Sequence, residues 1–255
     1  MRLVALGTGT VALTASRVCS GYYLEAGAVR LLLDCGSGVT HRLAQLDVPW
    51  REITHVAFTH FHTDHVGDFP TLVFAWKYGD LPGRSAPLTV IGPSGTAALL
   101  GRMADAFGDW LRAPGFPLSV VELAPEGTLD LGGGTTLGAR KVPHTAESVA
   151  YSITRGGRRI VYTGDTGYDP MLAEWARGVD VLLCECSLPA AMAIPEHLTP
   201  EQCGALAAAA LPKRLVLTHF YPPVERVDVR AAVAAHYAGL VTLADDGSTF
   251  EIEED

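Results

Sequence analysis

The chain reads as an α/β protein in which two β-sheets pack on each other with helices outside. Apolar segments alternate between strand-like and helix-like patterns from one end to the other. They fall into two similar halves, each with strands first and helices outside, and no linker or low-complexity segment divides them. With 255 residues and 48% hydrophobic content the chain can bury a large core, and it is read as one domain spanning residues 1–255.

The pattern predicts a first strand over 2–6, then the glycine turn Gly7-Thr8-Gly9-Thr10. That turn interrupts what a signal peptide would keep as a continuous apolar run. A hairpin follows, with strands over 22–25 and 29–34 around Ala26-Gly27-Ala28, and Cys35-Gly36-Ser37-Gly38 opens a helix toward Leu46. A buried strand over 53–59 leads to a helix over 66–78, and a strand over 88–91 to a helix capped by Ser94 and ending near Phe107. The middle is richer in strands, at 119–123, 129–131, 135–142, 149–154 and 159–163, with Arg155-Gly156-Gly157-Arg158 as a hairpin turn. Alternation then resumes with helices over 170–177, 200–210 and about 227–237, and strands over 179–184 and 214–218.

Composition narrows the function. Five cysteines, an odd number in a chain of this length, argue against a disulfide framework and for a reducing, cytoplasmic setting. Cys184 and Cys186 read as buried strand thiols. The longest uncharged stretch, 85–101, is short and broken by glycine and proline, so no membrane span is expected. Acids outnumber bases 28 to 19, for a net charge of −9, which speaks against broad nucleic-acid affinity.

The densest chemical signal is His60-Phe61-His62-Thr63-Asp64-His65. Imidazoles crowded together repel once protonated and gain little unless an electron-poor centre sits among them. His60 and His62, two apart on an extended segment, project to one side and can share an ion. Asp64 and His65, at the turn into the next helix, can serve a second. Three later strands also end in potential ligands: 135–142 at His144, 159–163 at Asp165 and 214–218 at His219. A carboxylate has two oxygens, so Asp165 is read as the bridge between two cations. His41, His55 and His236 lack such placement and are read as ordinary packing or surface residues. Trp76, Tyr78, Trp110 and Phe116 are read as core in preference to a lid over the site.

This ordered set, His60-x-His62-x-Asp64-His65, then His144, Asp165 and His219, resembles the metallo-β-lactamase superfamily over nearly the whole chain. The resemblance implies an αββα four-layer sandwich with a dinuclear hydrolytic centre. His60, His62 and His144 would hold one ion, Asp64, His65 and His219 the other, and Asp165 both. Zinc is the expected metal for nitrogen and oxygen ligands in a hydrolase, with manganese or iron able to occupy the same cage.

Within that superfamily the chain is similar to the ribonuclease Z group of phosphodiesterases, through Leu6-Gly7-Thr8-Gly9 with Arg17 downstream, Thr163-Gly164-Asp165-Thr166, Glu185 after a buried strand, and His197-Leu198-Thr199-Pro200 opening an alanine-rich helix. The similarity implies that His197 protonates the leaving oxygen, that Glu185 orients it, and that Asp64 both ligates metal and steers a metal-bridging hydroxide. His197 has a plainer reading as a packing or capping residue before its helix. Arg17 is open between a substrate-phosphate contact and a solvated loop residue.

Three departures bear on the substrate. Members that process transfer RNA carry a long arm between the ligands matching His144 and Asp165, whereas here 20 residues separate the two (145–164) and one hairpin uses nearly all of them. Phe220-Tyr221-Pro222-Pro223 also differs from the serine-containing sequence common in those enzymes, and Val18 stands where an asparagine often follows the arginine. The expected partner is therefore a small-molecule or nucleotide phosphodiester, with transfer RNA disfavoured and a homodimer compatible with the sequence. The ligand set equally suits attack on a carbonyl in a lactone, thioester or β-lactam, or a non-catalytic sensor holding a nucleotide or small anion.

Overall fold

The computed structural model describes residues 1–79 and 81–253. Glu254 and Asp255 of the acidic tail lie outside the described residues. The first half contains β1 (Arg2–Gly7), β2 (Gly21–Ala26), β3 (Val29–Leu33), α1 (Val39–Gln45), β4 (His55–Ala57), α2 (Thr63–Val66), α3 (Phe69–Phe74), β5 (Leu88–Gly92), α4 (Thr96–Phe107) and β6 (Leu118–Glu122). The second contains β7 (Thr128–Gly132), β8 (Thr135–Lys141), β9 (Val149–Arg155), β10 (Arg158–Tyr162), α5 (Pro170–Trp175), β11 (Val181–Glu185), α6 (Pro200–Ala210), β12 (Arg214–Thr218), α7 (Val229–Ala234), β13 (Val241–Leu243) and β14 (Thr249–Glu251).

The strands form two seven-stranded sheets, ordered β14-β1-β2-β3-β4-β5-β6 and β13-β12-β11-β10-β9-β8-β7. In each, antiparallel hairpins give way to parallel strands, β3 through β6 in the first and β10 through β13 in the second. Parallel strands need crossovers, and these place helices on the outer faces. Side chains alternate accordingly. On β3, Leu31 and Leu33 enter the layer between the sheets, where they share a cluster with Leu137, Tyr151 and Ile160, while Leu32 packs outward with Val39, Phe69 and Leu100. On β11, Val181 and Leu183 face inward, and Leu182 and Cys184 face Leu172, Leu206 and Val233. Strands buried on both faces explain the continuous apolar runs, and the result is the αββα four-layer sandwich.

The differences from expectation have local causes. The helix expected over 66–78 is split at Gly67 and Asp68 and ends in a π-helical turn, Ala75–Gly79. A Cβ on Gly67 would lie 2.5 Å from the Thr63 carbonyl oxygen and 2.6 Å from Ser37 Oγ, so the close approach is bought with a glycine. Ser94 does not cap α4. Gly95 holds the cap position at φ 100°, and Glu122 Oε1 accepts from the Gly95 and Ala97 amides at 3.1 and 3.0 Å. The short strands β13 and β14, absent from the expected set, lie on sheet edges. The two halves meet where Gly9 and Phe220 form a β-bridge and where Asp246 accepts from the Thr8 amide, the Thr8 hydroxyl and the Val18 amide at 2.9, 2.7 and 2.9 Å. Among the described residues no helix is long and apolar enough to cross a membrane.

Candidate metal centre and active site

Three strands end in residues with left-handed backbone, where the chain swings toward the crevice between the sheets: Asp34 after β3 at φ 56°, Gly164 after β10 at φ 57° and His219 after β12 at φ 58°. That conformation costs energy for a residue with a side chain and persists when surrounding contacts fix it. Gly164 also passes tightly against Thr59, whose Cβ lies 2.8 Å from where a Cβ would stand. The turn after β4 supplies His60 and His62, and α2 supplies Asp64 and His65 from adjacent positions of its one turn.

These ends converge. His60, His62, His144 and Asp165 form one group and Asp64, His65, Asp165 and His219 another, with the potential ligand atoms of each within 4.8 Å of one another. Asp165 turns one oxygen to each group. Its Oδ2 lies 3.8 Å from both His60 Nε2 and His144 Nε2, and its Oδ1 lies 3.2 Å from His65 Nε2 and 3.3 Å from His219 Nε2. Asp64 Oδ2 is 3.6 Å from His219 Nε2, and His62 Nδ1 is 3.2 Å from His144 Nε2.

The outer nitrogens are anchored. His60 Nδ1 meets Thr59 Oγ1 at 3.1 Å, His65 Nδ1 meets Asp34 Oδ2 at 2.7 Å, His144 Nδ1 meets the Glu196 carbonyl at 3.0 Å and His219 Nδ1 meets Ser187 Oγ at 2.9 Å. A carboxylate or carbonyl can only accept, so Nδ1 of His65 and of His144 carries a proton, and Nε2 is the nitrogen turned inward that the neutral ring would offer to a metal. The buried atoms His60 Nε2, His65 Nε2, His219 Nε2 and Asp165 Oδ1 have no hydrogen-bond partner. Donors around one small divalent ion at about 2.1 Å stand roughly 3.0–3.6 Å apart, close to the spacing seen here. The residues fit a pair of metal ions.

Opposite charges crowd the centre, and a cation ligated at Nε2 would take the place of the second proton that the neighbouring acids favour on His65. Burial works against a charged His65, yet Asp165 and Asp34 hold its ring well above the ordinary histidine range. Burial also opposes the charge on Asp165, and His219 and His65 keep its carboxyl well below the usual carboxylate range. Burial and the neighbouring His65 push His60 well down.

Beside the cluster stands a second network. Buried Glu185 accepts from His197 Nδ1 at 2.9 Å, from the Thr166 amide at 2.7 Å and from the Leu198 amide at 3.1 Å, and the Ser187 hydroxyl also donates to it. Burial disfavours charge on His197, but the bond to Glu185 and the nearby acids raise it to about 9. The helix behind it starts with a capping box, in which the Gln202 amide donates to Thr199 Oγ1 at 3.3 Å and the Thr199 amide to Gln202 Oε1 at 2.9 Å. His197 therefore does not cap that helix. It walls a cavity of about 440 Å³ together with Asp64, Asp165, Phe61 and Tyr221.

Other sequence candidates fall elsewhere. Arg17 donates to Thr8 Oγ1, the Ala244 carbonyl, Glu225 and Asp245 at 2.6 to 2.8 Å, bracing a loop instead of meeting the cavity. Trp76 and Phe116 are core residues, and Tyr78 and Trp110 flank Phe74 away from the cavity. His55 bonds Thr54 Oγ1 at 2.8 Å, outside the cluster. All five cysteines are buried free thiols. Sequence reasoning missed Asp34 and Ser187, which hold two of the imidazoles. An acidic residue ending an apolar strand was the available signal for Asp34, the same signal that marked Asp165.

Comparison with known proteins is consistent with this geometry. A family profile described as beta-lactamase superfamily domain matches residues 29–220. The uncharacterized protein Rv1339 of Mycobacterium tuberculosis is 33% identical over 99% of this chain and 92% of its own. Ribonuclease Z of Mycobacterium avium is 30% identical over 96% of each chain. The crystal structure of the metallo-beta-lactamase fold protein YhfI from Bacillus subtilis superposes with a TM-score of 0.84 at 25% identity, covering 98% of both chains.

Proposed function

The chain belongs to the beta-lactamase superfamily domain family, and we propose that it is a dinuclear metal-dependent hydrolase of phosphodiesters, similar in chemistry to ribonuclease Z. His60, His62 and His144 would hold one ion, Asp64, His65 and His219 the second, and Asp165 both; zinc suits this donor set, as do manganese and iron. Bound there, such ions supply hydroxide at neutral pH and offset negative charge on the phosphate.

The observation that carries the reading is His197, held by Glu185 on the wall of the cavity that exposes the ligand cluster. With Nδ1 donating to Glu185, Nε2 is left to give its proton to a departing alkoxide, a contribution of roughly 10²- to 10⁴-fold in rate. Glu185 fixes the ring and stabilises its charged form through a bond made in a buried setting. Asp64, with Oδ2 3.6 Å from His219 Nε2, would both ligate the second ion and steer the attacking hydroxide.

The relative named ribonuclease Z supports phosphodiester chemistry, while the 20 residues between His144 and Asp165, occupied largely by β9 and β10, leave no arm for transfer RNA. The test is turnover by the zinc-replete protein of bis(p-nitrophenyl) phosphate against p-nitrophenyl phosphate, a chromogenic cephalosporin and a lactone. The diester should be preferred by at least about tenfold in kcat/KM. Preference for the cephalosporin or lactone would assign the site to carbonyl chemistry, and tight diester binding without turnover to a sensor.

A further inference from the structure

Two aromatic side chains face the cavity in front of the ligand cluster and play no part in the chemistry just described. Phe61 lies between His60 and His62, with its ring over Gly95, where a Cβ would come within 3.3 Å of Phe61 Cε2. Tyr221 follows His219 by two residues, its ring centroid 6.1 Å from that of His197 and 6.0 Å from that of His219. Val11 completes an apolar rim, 55% exposed. A cavity of about 440 Å³ is within the ordinary size for a small organic ligand.

Among the described residues, the walls of the same neighbourhood offer no uncommitted cation. An adjoining cavity of about 670 Å³ begins at His144 and is walled by Tyr168, Asp169 and Glu196. Among the described residues walling the two cavities, Lys141 is the lysine or arginine, and its ammonium donates to the carbonyls of Val142, Thr145 and Ser148 at 3.0, 2.5 and 3.2 Å. Arg17, the arginine the sequence offered for phosphate, is committed to Glu225 and Asp245. A polynucleotide is held by a cationic groove that follows its phosphates. Here a second phosphate would meet Asp169 and Glu196 instead.

We propose that the site takes a small diester with a single phosphate charge and a flat unsaturated substituent, which lies against Phe61 and Tyr221 and sets the substrate preference. The inference rests on the phosphodiesterase reading of this site and adds to it the class of diester. The metals and His197 handle the phosphate, and the aromatic walls take the group that is not expelled.

The experiment compares phenyl p-nitrophenyl phosphate with methyl p-nitrophenyl phosphate, which share a leaving group, on the zinc-replete protein. The phenyl-to-methyl ratio of kcat/KM should be about tenfold or more and should fall about tenfold, through KM, in Phe61→Ala and Tyr221→Ser, while Tyr221→Phe keeps it. Zinc content measured on each variant separates loss of the wall from loss of the centre. A ratio near one in the parent protein, a ratio unchanged in zinc-replete variants, or faster cleavage of a 12-nucleotide single-stranded RNA would overturn the inference. If neither diester turns over, the phosphodiesterase reading fails by itself. The aromatic wall is then judged by calorimetric binding of phenyl methylphosphonate against methyl methylphosphonate: tighter phenyl binding that is lost in Phe61→Ala and Tyr221→Ser supports it, and equal binding overturns it.

Discussion

Asp34 Oδ2 lies 2.7 Å from His65 Nδ1, with neither side chain exposed to solvent. The same carboxylate accepts from the Thr59 amide and hydroxyl and from the Tyr162 hydroxyl at 2.8 to 2.9 Å, so it ties β3, the ligand loop and the second sheet to one imidazole. Asp34→Asn would put an N–H among groups that all donate. We expect a 10- to 100-fold weaker affinity for the ion assigned to His65, roughly the usual cost of losing such a partner. Titration against a chromophoric chelator should find one tight and one weakened zinc, and two unchanged affinities would refute the role given to Asp34.

Removing metal should lower stability as well as activity. The unpartnered inner atoms of His60, His65, His219 and Asp165 gain partners when a cation binds. At a free zinc concentration 100 times Kd, binding adds about 2.7 kcal/mol. For a chain of this size that is a rise in Tm of roughly 5–10 °C. Thermal scans with zinc and with a chelator measure the difference, and coincident curves would count against a resident metal.

His197→Ala should cost about 10²- to 10⁴-fold in kcat on diesters with alkyl leaving groups and far less on p-nitrophenyl esters, whose leaving group needs no proton. The pairing with Glu185 adds a signed pH dependence. The folded-state pKa of His197 is raised, to about 9, so the acid form persists at neutral pH and is lost as pH rises through that value. Glu185→Gln removes the stabilising charge and should shift the alkaline fall in kcat/KM to lower pH. An unshifted limb in the pH–rate profile would remove Glu185 from this role.

Gly164→Ala is expected to destabilise by about 1–3 kcal/mol, because alanine is strained at φ 57° and its methyl would press on Thr59. The neighbouring Asp165 should shift with the backbone. Urea denaturation and zinc content, measured on one preparation, check both effects.

Most of this architecture was legible because buried strands and ligand positions obey short-range rules. The run from Leu31 to Leu33 must be covered on both faces, and a strand that ends in His144, Asp165 or His219 announces a shared edge. What escaped depends on distant partners. The strand Thr249–Glu251 exists through its pairing with Arg2 to Val4, and Val241–Leu243 through its pairing with β12, so neither carries much local pattern. The cap of α4 was misread for the same reason, since the carboxylate that serves it comes from Glu122 on a neighbouring strand. Arg17 looked available for phosphate until Glu225 and Asp245, more than 200 residues along, closed around it. Asp34 carried the right chemistry, but its partners in the loop and on β10 were not visible from its neighbours.

The clasp between Asp246 and Thr8 spans 238 residues, nearly the full length of the polypeptide. The loop after β1 must wait for a segment more than 200 residues along the chain before its amides are satisfied. β1 likewise keeps an unpaired border until Thr249–Glu251 arrives. A folding chain without those contacts has much of both sheets but an unfinished rim at the crevice, the very point where Gly9 must meet Phe220. Completion of that rim thereby depends on contacts of very long sequence separation, the slowest kind to close.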